Sequence, residues 1–130
     1  MFRINEDKSI YVTRGDYVSF SVTATDAGGA EHTFSVGDVL RFKVFEEKAC
    51  EEAVLVKDFP VTEAGTSVNV FLSGGETKLG EYISKPKNYW YEVELNPDGN
   101  TQTIIGYDED GAKIFRLFPE GGDGVEGALE

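Results

Sequence analysis

Between Tyr89 and Pro119, three runs rich in aromatic and β-branched residues are separated by two four-residue turn signals. The runs are Tyr89–Leu95, Asn100–Tyr107 and Ala112–Pro119, and Asn96-Pro97-Asp98-Gly99 and Asp108-Glu109-Asp110-Gly111 stand between them. Asn first, Pro second and Gly fourth are the preferences of a type I turn, and the second cluster repeats the Asp-first, Gly-fourth form. Within the first run Tyr91, Val93 and Leu95 alternate against Trp90, Glu92 and Glu94. That is the period of a strand with one buried face. The pattern predicts a β-meander and an all-β fold, and it supplies no catalytic chemistry.

The upstream sequence repeats the signal. Ile10–Thr13 reads as a short strand ended by Arg14-Gly15. From Asp16 onward Val18, Phe20, Val22 and Ala24 fall on one face, and Tyr17, Ser19, Ser21 and Thr23 on the other. Asp26-Ala27-Gly28-Gly29 reads as a turn, with Glu31–Phe34 returning as a short strand. Val39–Phe45 puts Leu40, Phe42 and Val44 on the core face. Glu46–Glu52 reads as a charged loop or helical turn, and Ala53–Phe59 as a strand stopped by Pro60. Ser67–Leu72 is a further strand, ended by Ser73-Gly74-Gly75 acting simply as a turn. Glu76–Tyr82 has room for one helical turn, since Gly80 discourages more. Seven or eight short strands at this spacing predict a sandwich, and no stretch has the helical period that parallel βαβ units require.

At 130 residues the chain reads as one domain, residues 1–119, followed by an acidic, Gly-rich tail, residues 120–130, expected to be disordered. A formal net charge of −12 excludes the usual electrostatics of nucleic-acid binding and disfavours anionic membranes. The first residues lack the apolar core of a signal peptide, and no apolar run reaches the ~20 residues of a membrane span. The expectation is a soluble protein made in the cytoplasm. The lone Cys50 excludes an internal disulfide, and its acidic neighbours disfavour a thiolate.

No candidate catalytic, cofactor or metal residue survives comparison with its structural alternative. Arg14-Gly15-Asp16 spells an integrin-binding tripeptide but lies where a turn is needed, with Gly15 free to take a positive φ. Asp108-Glu109-Asp110-Gly111 lacks the alternating ligands and closing Glu of a calcium loop. His32 has no nucleophile elbow to serve and reads as a surface or strand-end residue, and one His with one Cys cannot make the usual zinc sets. Glu92 and Glu94 share a strand face, a coincidence expected among 24 acids. Trp90 alternates away from the core face; it and Tyr107 are the candidate contact residues, since Trp and Tyr concentrate at interfaces.

Several segments taken in order resemble a known family. Ile10-Tyr11-Val12-Thr13-Arg14-Gly15-Asp16 followed by Phe20, and Gly37-Asp38-Val39-Leu40-Arg41-Phe42-Lys43-Val44, resemble the opening strands of the N-terminal domain of siphophage baseplate upper proteins. Gly80-Glu81-Tyr82, Tyr89–Leu95 and Thr101–Tyr107 resemble that domain's closing half. The chain is thereby similar to structural proteins from prophages of Gram-positive bacteria. The resemblance implies an immunoglobulin-like antiparallel β-sandwich, without catalytic residues, that assembles with other phage structural proteins, as a homo-oligomer or within a virion. The competing expectation is a carbohydrate-binding-like sandwich displaying exposed aromatics, Trp90 and Tyr107 among them.

Overall fold

The computed structural model describes residues 2–4 as backbone, and residues 8–25, 28–106 and 111–120 in full. Among these lie nine strands: β1 (Phe2–Ile4), β2 (Ile10–Thr13), β3 (Val18–Val22), β4 (Val39–Phe45), β5 (Ala53–Pro60), β6 (Val68–Leu72), β7 (Lys87–Leu95), β8 (Gln102–Ile105) and β9 (Lys113–Phe118). The single helical turn α1 spans Gly74–Thr77. The expected all-β, sandwich-like fold is present, with one strand more than the upper count expected. No helix among the described residues is long and apolar enough to cross a membrane.

Seven strands form one sheet, ordered β1-β2-β9-β7-β4-β5 with β8 also on β7, and β3 and β6 form the second. The alternation in the sequence settles which side of each strand is buried. Leu40, Phe42 and Val44 of β4, Tyr89, Tyr91, Val93 and Leu95 of β7, and Phe115 and Leu117 of β9 face the second layer. Val18 and Val22 of β3 and Val70 and Leu72 of β6 meet them. Phe42 sits at the centre, its ring 5.5 Å from Tyr91, 6.1 Å from Phe20 and 6.2 Å from Phe115. Offset and edge-on aromatic contacts of this kind add ~0.5–1.5 kcal/mol each to the burial itself.

Four expectations change. The closing run is not a meander: β8 and β9 lie end to end on the same edge of β7. Val93 pairs with Ile105 and Tyr91 with Lys113, so the ladder moves two residues along β7 while the returning chain advances from 105 to 113. Second, β2 pairs with β9 in parallel, because it enters from the far side of the sheet, so the large sheet is mixed. Third, Glu31 and Phe34 make only isolated bridges, to Thr25 and Gly65. Fourth, Gly74-Gly75 is not a plain turn but the start of α1. Ser73 accepts from Glu76 N–H at 3.2 Å while Glu76 reaches back to Ser73 N–H at 2.8 Å, a capping box that the Ser-Gly-Gly-Glu order encodes.

The Asn96–Gly99 turn forms as expected, Gly99 N–H donating to Asn96 C=O at 3.1 Å. Asn96 adopts φ +51° and its side chain accepts from Val39 N–H, tying the turn to the start of β4. Tyr107, Asp108, Glu109, Asp110 and residues 121–130 lie outside the described residues.

Candidate functional site: a cleft walled by strand edges

Among the described residues, the polar contacts between the two layers gather on one side. Where β5 meets β6, Lys57 Nζ donates to Phe71 C=O at 3.0 Å and pairs with Glu76 at 2.8 Å. The same ammonium lies 4.1 Å from the Phe71 ring centre, and Phe59 packs edge-on against Phe71. Burial pushes the Glu76 carboxyl up, but the Lys57 ion pair and the Ser73 hydrogen bonds outweigh it and hold it below its ordinary value.

On the β3 side the layers part around a cleft of about 810 Å³. Residues 20–25 line it without a gap, as do residues 102–105. Side chains on a strand face would contribute every second residue. Unbroken runs fit a cleft walled by the edge of β3, continued by residues 23–25 beyond it, and by the edge of β8. Among the described residues β3 is paired along its length only with β6, and β8 only with β7, so each keeps one unpaired edge. Tyr91 and Leu95 extend the lining from the core face of β7, and Ile104 and Ile105 pack against the core beside them.

Lys8 and His32 complete the lining. Lys8 stands at φ +73°, and its carbonyl accepts the Tyr91 hydroxyl. His32 N–H donates to Ala24 C=O at 2.8 Å, and the imidazole packs edge-on to Phe34 at 5.0 Å. Its Nε2 is shielded from water and has no hydrogen-bond partner. Such orphaned buried nitrogens are rare, because leaving one unpaired costs ~1–3 kcal/mol. Among the described residues no carboxylate lines the cleft.

Trp90, the candidate contact residue, is elsewhere. It lies on the outer face of the large sheet, half-buried, in cross-strand register with Phe45 on β4 and Ile114 on β9. Lys43–Glu94 and Arg41–Asp58 ion pairs at 2.9 and 2.7 Å share that face. Hydrogen bonding to Arg41 holds Asp58 below its ordinary pKa, whereas burial, with Glu94 adding to it, raises Glu92 above its own. Tyr107, the other candidate, is outside the described residues, so the two are not brought together.

The remaining motifs are structural. Gly15 takes φ +95°, as the turn reading required, but Arg14 is buried. Its guanidinium donates to Leu79 C=O at 3.0 Å and Gly80 C=O at 2.7 Å, and pairs with Glu120 at 2.7 Å. Thr77, also buried, accepts from Gly15 N–H and donates to Asp16 C=O. Cys50 is half-buried at φ +55°, and burial first, then Glu92, raises its thiol pKa, the reverse of activation. Among the described residues no group of three or more His, Cys, Asp or Glu side chains is placed to hold a metal ion.

Sequence reasoning missed both the cleft and the Arg14 clamp. The sign of the cleft available in the sequence was the neutral composition of Phe20–Thr25 and of Thr101–Gly106 in so acidic a chain. Comparison of this chain with protein-family models, with curated proteins and with solved structures finds no match in any of the three.

Proposed function

We propose that this chain is a non-enzymatic structural or assembly protein acting through protein–protein contacts, of the kind found in the tails and baseplates of prophages. The observation that supports it is the pair of strand edges, on β3 and β8, that no described residue pairs at the open side of the sandwich. Unpaired edges are surfaces that other polypeptides complete. The prophage assignment rests on the resemblance of the ordered segments from Ile10 to Tyr107 to baseplate upper proteins. An immunoglobulin-like arrangement belongs to the same proposal. The core shared by Val18, Val22, Val70 and Leu72 with β4, β7 and β9 supports it, whereas the seven-to-two division of strands departs from the more equal sheets of an immunoglobulin domain.

Mass spectrometry of density-purified particles after prophage induction tests the proposal. Co-purification of this chain with tail proteins at stoichiometric levels is the expected result; abundance in the lysate with absence from particles overturns the virion role. The second reading is a carbohydrate-binding-like module, favoured by the polar side chains of Ser21, Thr23 and Gln102 in the cleft. Glycan-array binding that is lost on Gln102→Ala but survives Trp90→Ala would establish it, since Trp90 lies on the opposite face of the large sheet.

A further inference from the structure

We infer that the β3–β8 cleft accepts an extended segment of a partner polypeptide, which pairs with the open edge of β3 and bears at least one carboxylate. The inference deepens the assembly reading by naming the site and the chemistry of the partner.

Three observations carry it. The first is the unbroken lining by residues 20–25 and 102–105. A strand edge offers N–H and C=O groups at fixed spacing, and another backbone is the ligand that satisfies them in series. No described residue outside β6 hydrogen-bonds to the backbone of Val18–Val22, and none outside β7 to that of Gln102–Ile105. The second is the incompleteness of the small sheet. Two strands are marginal alone, and a third gives the layer the minimum at which sheets become independently stable. The apolar side chains of the incoming strand, one in every two, would lie over Tyr91, Leu95, Ile104 and Ile105. The third is charge. On a chain of net charge −12, the described residues that line this cleft are Lys8, His32 and otherwise uncharged ones. A carboxylate that is repelled by the rest of the surface meets a cation here.

The test uses the full chain, isotope-labelled, with four short synthetic peptides of alternating valine and threonine. One carries a central Glu, one carries Gln in its place, one is the Glu peptide N-methylated at alternate amides, and one has the Glu peptide's composition with a central Pro. The expected result is that the Glu peptide slows amide exchange along Val18–Ala24 by about tenfold or more, while the N-methylated and Pro peptides do not. Lys8→Gln should erase the preference for Glu over Gln without shifting the melting temperature, because the Lys8 side chain is exposed. Absence of protection on β3 and β8 with every peptide overturns the inference, as does protection that the N-methylated peptide reproduces. Gln102→Trp, which fills the cleft from an exposed position on β8, separates this inference from the assembly reading. A folded Gln102→Trp chain that still enters particles sinks strand addition and leaves assembly standing, whereas wild-type chain missing from particles sinks assembly alone.

Discussion

Replacing Arg14 by Met is the sharpest test of how the turn after β2 is held. The guanidinium serves Leu79 C=O, Gly80 C=O and Glu120, and makes a longer contact of 3.5 Å to Lys78 C=O. Met keeps most of the apolar stem and removes every donor. Lys78 and Gly80 are exposed, so their carbonyls rehydrate at little cost. Leu79 is buried, and its orphaned carbonyl costs ~1–2 kcal/mol. Glu120 is 16 % exposed, and loss of its charged partner costs ~1–2 kcal/mol after allowance for the water that reaches it. The total of ~3 kcal/mol corresponds to a fall of roughly 10 °C in melting temperature for a chain of this size. Glu120→Gln alone should cost less than half as much, and Arg14→Lys should recover little, because one ammonium cannot replace a planar fork. Thermal unfolding followed by circular dichroism measures all three variants. A change below ~2 °C in Arg14→Met would refute the clamp, since no combination of rehydration terms is that small.

Other substitutions read other parts of the structure. Gly74→Ala should cost more than ~2 kcal/mol by chemical denaturation, because a Cβ there would stand 2.5 Å from the Gly15 carbonyl oxygen, a backbone atom that cannot move aside cheaply. His32→Phe should leave the chain as stable or stabilise it by ~0.5–1 kcal/mol, since it removes an unpaired shielded nitrogen and keeps the edge-on contact to Phe34; a loss above that size would mean that Nε2 is paired. Glu92 is raised above its ordinary pKa, so the folded chain holds its proton more tightly than the unfolded one. Stability from this group is complete below about pH 4.5 and declines as pH rises through the higher folded value. Glu92→Gln should therefore stabilise the chain at pH 7 and not at pH 4, as denaturant melts at the two values would show. Asp58 shifts the other way through its bond to Arg41, so Asp58→Asn should cost stability at pH 7, a cost that shrinks as pH falls below about 3.8 toward the lower folded value.

The legible part of the fold was the part governed by period two. Leu40, Phe42, Val44, Tyr91, Val93 and Leu95 are buried where alternation puts them, because a buried sheet face demands apolar residues at every second position. Strand order was not legible, since alternation says which side is buried and nothing about which neighbour is paired. That is why β8 and β9, separated by a good turn signal, looked like successive strands of a meander although they share one edge of β7. Arg14 escaped notice for a different reason. Its acceptors are backbone carbonyls some 65 residues away, which carry no residue-type signature. The cleft was hidden for the same reason: a strand edge is built from main-chain groups that every sequence possesses.

The asymmetry of the two layers ties these features together. A two-stranded sheet needs external anchoring, and here the anchors gather on the β6 side: Lys57 bridging to Phe71 and Glu76, Phe59 against Phe71, and Phe34 bridged to Gly65. Beyond β6, α1 continues the attachment, with Thr77 bonded to the Gly15–Asp16 turn that Arg14 fixes from below. On the β3 side the inward contact is apolar, Phe20 against Phe42, and the edge itself is bonded to nothing among the described residues. Apolar contact is non-directional and tolerates small shifts, whereas charge-assisted hydrogen bonds fix distance and angle. Among the described residues the β3 edge is therefore held by apolar contact and the β6 side by directional bonds as well. A strand seated at the β3 edge would add directional bonds to the open side of the sandwich.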